Sequence, residues 1–308
     1  MYVILDTDPG IDDACTIAAA LNEPSLHLLL LSAVGGNVSV ENTAKNALRL
    51  VEFFGKKVPV AKGCSHPLLQ EPRHTAVHGE TGMSGYDFPQ IHGSFVEEHA
   101  VIAMWKAIMR APEAVTLVAV GPLTNVALLF RMYPEVLTHL DRLVLMGGSD
   151  DRGNMTPYAE FNIYVDPEAA QIVFDTCEKH DLPVVLCGLN MTRQAVLTTG
   201  DFKDIDQLGR AGHMLASLFS FFYKASQTVG ESLDSGARIH DLTTIAYLVH
   251  PEYFETKQAS VTVDTTMGPA RGATVVNYRK PKNVTVCQSL DNEKVKAWLK
   301  DLLRRIEN

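Results

Sequence analysis

Five short runs of apolar residues are spaced along the first two thirds of the chain. They occupy residues 2–6, 26–34, 115–121, 142–148 and 182–188. Near-continuous apolar runs of this length are typical of strands in a parallel sheet that is covered on both faces. The pattern therefore predicts five strands of one mostly parallel sheet.

Segments with a helical pattern lie between these runs. They cover residues 12–21, 40–54, 99–110, 122–133 and 167–180. Strands that alternate with helices fold as a sheet with helices on both faces. We therefore expect an α/β fold built on a doubly wound, mostly parallel sheet flanked by helices.

The last third of the chain has a different pattern. A long amphipathic stretch covers 213–225, a helix is expected after His240, and a terminal helix is expected over 292–306. Strand-like segments occur at 259–265, 272–278 and 283–289. These elements predict extra C-terminal helices and strands. No repeat or linker divides the sequence, so we expect residues 1–308 to form a single domain.

Residues 63–98 show no convincing period of apolar positions and are rich in Gly, Pro and His. Loops this long in a compact domain are usually functional lids or disordered segments. We therefore expect this tract to form a lid.

The overall charge narrows the range of partners. Lys and Arg number 27 against 36 Asp and Glu, and the formal net charge is −9. Binding to nucleic acid needs a surplus of basic residues that neutralise phosphates, so we expect no nucleic-acid partner. The apolar runs are too short to span a bilayer, and the first residues lack the pattern of a secretory signal. We therefore expect no membrane partner.

The five cysteines are odd in number and scattered, and none of them forms a CxxC pair: Cys15, Cys64, Cys177, Cys187 and Cys287. This usage favours reduced, mostly buried thiols over a disulfide framework. The interpretation that fits is a cytoplasmic protein.

The stretch LDTDPGIDDA (5–14) places Asp6, Asp8, Asp12 and Asp13 within eight residues. It joins the first predicted strand to the first predicted helix, and ligands of open α/β sheets bind at the carboxyl ends of strands. A helix N-terminus favours each anion by only about 0.3–1 kcal/mol, which is too little to hold these carboxylates together. A divalent cation would do so, and oxygen ligands indicate Ca²⁺ or Mg²⁺. The alternative is that Asp12 caps the helix and the others are solvated.

Two further helix starts could complete a shell of oxygen ligands. His240 and Asp241 lie at the head of the apolar helix expected after His240, and Thr124 follows the strand 115–121 and its Gly-Pro turn. Taken alone, Asp241 is more often a helix cap and His240 a surface histidine. Both interpretations stay open at this point.

Polar residues that could hold a sugar follow two other strands. Asn37 comes after the strand 26–34, and Asn154, Glu160 and Asn162 surround Phe161 after the strand 142–148. Amides and a carboxylate beside an aromatic ring suit a polyhydroxylated ligand. The alternative is a loop rich in Asn and Asp that hydrogen-bonds to its own backbone.

These motifs resemble the nucleoside N-ribohydrolases, also called inosine–uridine-preferring nucleoside hydrolases. The resemblance runs almost end to end and is carried by DTDPGIDDA (6–14), GGNVSVENT (35–43), HGETGM (78–83), VGPLTNVA (120–127), LMGG (145–148), GNMTPYAEFNI (153–163), DPEAA (166–170) and HDLTTIA (240–246). Within the family the chain looks most like the non-specific members, which accept purine and pyrimidine ribonucleosides. A pyrimidine-specific member is the alternative.

The resemblance implies a role for each matching position. Ca²⁺ would be bound by Asp8, Asp13, the Thr124 carbonyl and Asp241. The ribose would be held by Asp12, Asn37, Asn154, Glu160 and Asn162, and the pocket would be lined by Phe161, Met146 and His78. Asp8 would be the general base and His240 the leaving-group acid. The segment 215–238 would contact the base, and the chain would form a homotetramer or a homodimer.

The implied reaction is hydrolysis of the N-glycosidic bond of a ribonucleoside to ribose and a free base. Two other classes of function compete with it. A haloacid dehalogenase-type phosphatase would use Asp6 as nucleophile and Asp8 as acid, because both follow a strand as DxD. A non-catalytic nucleoside-binding protein would hold the same ligand without cleaving it.

Overall fold

The computed structural model describes residues 1–228 and 236–307. Eleven strands lie within these residues: β1 (Tyr2–Thr7), β2 (His27–Ala33), β3 (Val60–Lys62), β4 (Val115–Ala119), β5 (Leu140–Met146), β6 (Val184–Cys187), β7 (Val196–Thr198), β8 (Gly236–Arg238), β9 (Phe254–Val263), β10 (Thr274–Asn277) and β11 (Val284–Leu290).

Eleven α-helices accompany the strands in the same described residues: α1 (Ile11–Asn22), α2 (Val40–Phe53), α3 (Ala100–Arg110), α4 (Thr124–Met132), α5 (Phe161–Val165), α6 (Pro167–Lys179), α7 (Leu189–Thr192), α8 (Thr199–Asp206), α9 (Gly209–Thr228), α10 (Leu242–Val249) and α11 (Asn292–Glu307). Short 3₁₀ helices occur at Pro134–Thr138 and Pro251–Tyr253.

Nine strands form one sheet in the order β10-β9-β11-β6-β5-β4-β1-β2-β3. From β3 to β11 every neighbouring pair is parallel, while β9 and β10 extend the sheet in antiparallel fashion. Strands β7 and β8 pair separately. The doubly wound, mostly parallel sheet with additional C-terminal strands and helices is therefore confirmed.

Alternate residues of the strands point to opposite faces of the sheet, and each face has its own core. Val3 and Leu5 pack with α1, α2 and the C-terminal helices α9 to α11, whereas Ile4 packs with α3, α4 and α6. All these strand residues are fully buried. This two-sided burial explains why the strands read as continuous apolar runs.

The chain order reverses beside β1. Strands β2 and β3 follow on one side of β1, and β4, β5 and β6 follow on the other. The loops after β1 and β4 therefore diverge at a topological switch point, where open α/β sheets form their ligand crevice. The acidic stretch lies in the loop after β1.

The tract 63–98 contains no helix or strand. All five cysteines are free thiols, and four of them are buried, as expected. No helix of the described residues is long and apolar enough to cross a membrane.

Candidate active site

A cavity of about 280 Å³ opens at the switch point. The residues that line it include all eight predicted substrate-binding residues and both members of the His-Asp pair: Asp12, Asn37, His78, Met146, Asn154, Glu160, Phe161, Asn162, His240 and Asp241. Asp8, Asp13 and Thr124 lie beneath this lining and are buried. The fold thus brings together residues that are up to 233 positions apart in the sequence (241 − 8).

Three carboxylates meet at the floor of the cavity. Asp12, Asp13 and Asp241 are buried, and one oxygen from each lies within 4.8 Å of the others. The cluster could hold a metal ion, and it includes Asp12, which the resemblance assigned to ribose.

Asp8 lies beside this cluster in a very confined position. Its Oδ2 accepts a hydrogen bond from the backbone N–H of Asn37 at 2.7 Å, while its buried Oδ1 has no hydrogen-bond partner. A Cβ at Gly36 would overlap Oδ2, and a Cβ at Gly121 would lie 2.7 Å from Oδ1. Two glycines therefore let the loops after β2 and β4 close around this carboxylate. An orphaned carboxylate oxygen in such a place needs a cation or a proton.

Burial and mutual repulsion disfavour the charged form of the whole cluster. Burial, followed by the charge of Asp13, raises the pKa of Asp12 to about 8. Burial and then Asp13 also raise the pKa of Asp8 well above its usual range. For Asp241, burial and then Asp12 raise the pKa in the same direction. The carboxylates can all ionise at neutral pH only if positive charge is brought to them.

The local structure decides between capping and other roles for Asp12 and Asp241 in different ways. Helix α1 is capped by Gly10, whose backbone N–H donates to Oδ2 of Asp13 at 2.8 Å, so Asp12 is not the cap. Asp241 does occupy the N-cap position of α10, but its side chain makes no capping hydrogen bond. Thr7 donates its hydroxyl to Oδ1 of Asp13, a contact that the sequence did not indicate.

The opposite wall of the cavity is built on α5. Glu160 accepts hydrogen bonds from the N–H groups of Gly148 at 2.8 Å and Asn162 at 2.9 Å, and burial raises its pKa to about 7. The amide of Asn162 donates to the carbonyls of Val120 and Met146 at 3.0 and 3.1 Å. Glu160 is therefore a helix cap as well as a cavity residue, so part of the backbone-bonding alternative is correct.

His78 connects the tract 63–98 to the acidic stretch. Its Nδ1 accepts a hydrogen bond from the backbone N–H of Ile11 at 3.0 Å, and its ring stacks on Phe222 with centroids 5.2 Å apart. Burial lowers the pKa of His78 to about 4. The ring is therefore neutral at pH 7, and it carries its proton on Nε2 because Nδ1 acts as an acceptor.

His240 is also held from outside the cavity, so it is not an ordinary surface histidine. Its Nδ1 lies 2.8 Å from the hydroxyl oxygen of Thr192 in α7. Burial, and then the nearby charges of Arg238 and Arg193, lower the pKa of His240 to about 3. The unliganded ring is neutral at pH 7, whereas its unperturbed pKa near 6.5 would leave it partly charged.

The structure also shows the contacts of Thr124 and of part of the segment 215–238. The hydroxyl of Thr124 donates to Oδ2 of Asp166 at 2.6 Å, so it is already engaged. The segment 215–238 contributes Phe222 to the cavity, but its residues 229–235 lie outside the described residues. Sequence reasoning missed Val120, Met155 and residues 74–77, which also line the cavity. Only the lid prediction pointed towards residues 74–77.

Asp6 lies apart from the cavity lining. It is fully buried, and its Oδ1 accepts hydrogen bonds from Ser32 at 2.6 Å and Asn125 at 2.9 Å. A nucleophile for phosphoryl transfer must be open to its substrate, so this placement argues against the phosphatase.

The fold and this site define an α/β protein with a metal-capable acidic centre at a polar cavity. The sequence profile described as "Inosine-uridine preferring nucleoside hydrolase" matches residues 3–297. The chain belongs to the inosine-uridine preferring nucleoside hydrolase family.

Individual relatives agree with this assignment. The chain is 47% identical over 308 residues to "Non-specific ribonucleoside hydrolase RihC" of Escherichia fergusonii, with 98% of each chain covered. The protein of the same name from Escherichia coli K12 is 47% identical over 306 residues, which cover 98% of this chain and 97% of that one.

Solved structures share the fold over nearly the whole length. The purine-preferring ribonucleoside hydrolase from Gardnerella vaginalis superposes with a TM-score of 0.91 at 29% identity, with 99% of both chains covered. The plant nucleoside hydrolase PpNRh1 superposes with a TM-score of 0.89 at 30% identity, with 98% of both chains covered.

Proposed function

We propose that this protein hydrolyses the N-glycosidic bond of purine and pyrimidine ribonucleosides to ribose and a free base. Membership of the family supports the reaction, and the names of the Escherichia relatives support the broad choice of base. The observation that carries the proposal is the cavity itself. It places amides, a carboxylate and an aromatic ring directly above a buried acidic cluster.

The chemistry of the donors fits Ca²⁺. They are oxygen atoms only, which hard cations prefer, and the orphaned Oδ1 of Asp8 leaves one donor in need of positive charge. We infer that Asp8, Asp13, the Thr124 carbonyl and Asp241 hold the ion. Bound there, Ca²⁺ would supply the charge that keeps the carboxylates ionised, bind the sugar diol and lower the pKa of nearby water.

The ribose would lie between the acidic floor and the wall formed by α5. Asp12 and Asn37 would bind its hydroxyls from the floor, and Asn154, Glu160 and Asn162 from the wall. Cleavage passes through a state that resembles an oxocarbenium ion. The carboxylate of Glu160 and the amide of Asn162 are already fixed by backbone hydrogen bonds, so they can stabilise the growing positive charge without reorganising.

Proton transfer would involve residues on both sides of the bond. Asp8 would accept a proton from the attacking water, because its Oδ1 is free of hydrogen bonds. His240 would present Nε2 to N7 of a departing purine. Because the ring is neutral at pH 7, it would first take up a proton from solvent and then pass it to the base as the bond breaks. His78, Phe161 and Met146 would surround the base and ribose with two rings and a thioether.

A panel of nucleosides tests this proposal. Inosine, adenosine, uridine, cytidine and 2′-deoxyinosine are assayed for free base, with and without a chelator. We expect turnover of all four ribonucleosides, a large loss with 2′-deoxyinosine, and loss of activity with chelator that added Ca²⁺ restores. Turnover of uridine and cytidine alone would favour the pyrimidine-specific alternative. Binding without any release of base would favour the nucleoside-binding protein.

Three properties of the whole protein complete the proposal. We infer a homotetramer from the family resemblance, with a homodimer as the alternative. We infer one domain over residues 1–308, because α9, α10 and α11 cover the face of the sheet formed by the N-terminal strands. The free cysteines support a reducing, cytoplasmic location.

A further inference from the structure

Thr192 contacts the site without lining the cavity. It is the last residue of α7, the short helix that follows β6, and it is fully buried. Its hydroxyl oxygen lies 2.8 Å from Nδ1 of His240, which is 48 positions away in the sequence. The edge of the imidazole opposite Nδ1 carries Nε2, which makes no hydrogen bond among the described residues, and His240 lines the cavity.

The hydrogen bond between Thr192 and Nδ1 of His240 restricts rotation of the imidazole ring. The backbone of His240 is fixed separately, because its carbonyl accepts hydrogen bonds from both the N–H, at 3.2 Å, and the hydroxyl, at 2.6 Å, of Thr243. Without a partner for Nδ1, the imidazole could rotate by 180° about its Cβ–Cγ bond. This rotation would exchange Nδ1 with Cδ2 and Nε2 with Cε1. Since a hydroxyl both donates and accepts, Thr192 can bind Nδ1 whether or not that nitrogen carries a proton.

The turn that carries Thr192 is itself held by several hydrogen bonds. Its backbone N–H donates to the carbonyl of Gly188 at 2.9 Å, and Asn190 donates to the carbonyl of Cys287 at 2.9 Å. The next residue, Arg193, donates to the carbonyls of Arg152 at 2.9 Å and Gly153 at 2.7 Å. The same turn therefore anchors the loop that leads to Asn154, on the far side of the cavity.

We propose that Thr192 is a positioning residue, whose hydroxyl holds the imidazole of His240 so that Nε2 points at the departing base. The inference rests on the proposed role of His240 as leaving-group acid. Thr192 makes no contact with substrate in this scheme, and its effect passes entirely through the ring.

The test compares two leaving groups in variants of Thr192. Inosine needs a proton on its base as the bond breaks, whereas p-nitrophenyl β-D-riboside releases a stable phenolate that needs none. Thr192→Val should lower kcat on inosine by about 10-fold to 100-fold, which is part of the contribution of a general acid. Its KM for inosine and its kcat on the nitrophenyl riboside should stay within about 3-fold. Thr192→Ser should restore inosine turnover, and Thr192→Ala should repeat the loss if the valine variant does not fold.

Thr243→Val is the matched control, because it removes a buried hydroxyl that bonds to the carbonyl of His240 and not to its ring. Any loss it causes should affect both substrates equally. A readout besides activity is the pair of imidazole ¹⁵N signals of His240, identified by their absence in His240→Ala. The chemical shifts of these signals should change in Thr192→Val and return to their wild-type values in Thr192→Ser.

Equal losses on both substrates in Thr192→Val, or no loss on either, would overturn the role of Thr192. His240→Ala separates this failure from that of the proposed function. If His240→Ala keeps full inosine turnover, the hydrolysis stands but His240 is not the acid, so the role of His240 and the role of Thr192 both fall. If His240→Ala loses inosine turnover while Thr192→Val does not, only the role of Thr192 falls.

Discussion

Two of the histidines that line the cavity, His78 and His240, are each held at Nδ1 by a group from outside the cavity. His78 accepts from the backbone N–H of Ile11, and His240 lies against the hydroxyl of Thr192. Burial lowers the pKa of His78 to about 4 and that of His240 to about 3. Both rings are therefore neutral at pH 7, and in each ring the Nδ1 atom is engaged while the residue lines the cavity. Residue type alone could not predict this, because it follows from burial and partners.

The acidic cluster predicts how the metal-free protein responds to pH. The pKa of Asp12 rises from 3.8 in the unfolded chain to about 8 in the fold, and those of Asp8 and Asp241 are also raised. The folded state thus binds more protons than the unfolded state. The stabilisation that these protonated carboxyl groups contribute is complete below about pH 4 and is lost as the pH rises towards about 8. Chelator-treated protein should have a lower free energy of unfolding at pH 8 than at pH 5, measured with urea.

Calcium should cancel this dependence, because it replaces the protons that the cluster otherwise needs. In saturating Ca²⁺ the free energy of unfolding at pH 8 should rise to at least the value that the metal-free protein has at pH 5. A metal-free protein whose stability increased steadily from pH 5 to pH 8 would contradict the raised pKa values that burial and mutual repulsion give these carboxylates.

At the scale of elements, the loops after β1, β2 and β4 converge so closely that one side chain would disturb them. A Cβ at Gly36 would overlap the carboxylate of Asp8. Gly36→Ala should therefore displace Asp8 and weaken Ca²⁺ binding by at least about 10-fold, or about 1.4 kcal/mol. Titration calorimetry with Ca²⁺ measures this loss, and circular dichroism should report an unchanged fold.

Gly268→Ala provides the control for this variant. Its added Cβ would lie 3.6 Å from Oγ1 of Thr266, which is an ordinary contact. Calcium affinity should be unchanged in this variant. If Gly36→Ala bound Ca²⁺ as tightly as Gly268→Ala, the close approach of the loop to Asp8 would have no part in the metal site.

Most elements could be predicted from the sequence because burial on both faces of the sheet leaves a strong pattern. The five apolar runs became β1, β2, β4, β5 and β6 with small shifts of their ends. Strand β3 was missed, because Val60–Lys62 is too short to show a pattern. The residues predicted from motifs at strand ends and from the family resemblance do line one cavity or lie next to it, but contacts such as Thr192 with His240 depend on the fold and leave no local signal.

At the scale of the whole molecule, the sheet order explains why one cavity collects residues from the entire chain. The N-terminal strands supply Asp8 and Asn37, the central loop supplies Glu160, and α10 returns to bring Asp241 over α1. The C-terminal helices cover one face of the N-terminal strands. The acidic cluster is therefore complete only when both ends of the chain have folded together.

The most direct test of the account is a calorimetric titration of Ca²⁺ into chelator-stripped protein. We predict one ion bound per chain in the wild type and loss of that binding in Asp241→Asn. Asp175→Asn, which changes an exposed aspartate of α6, should bind as the wild type does. Absence of binding in the wild type, or equal affinity in Asp241→Asn, would contradict a calcium site in the acidic cluster.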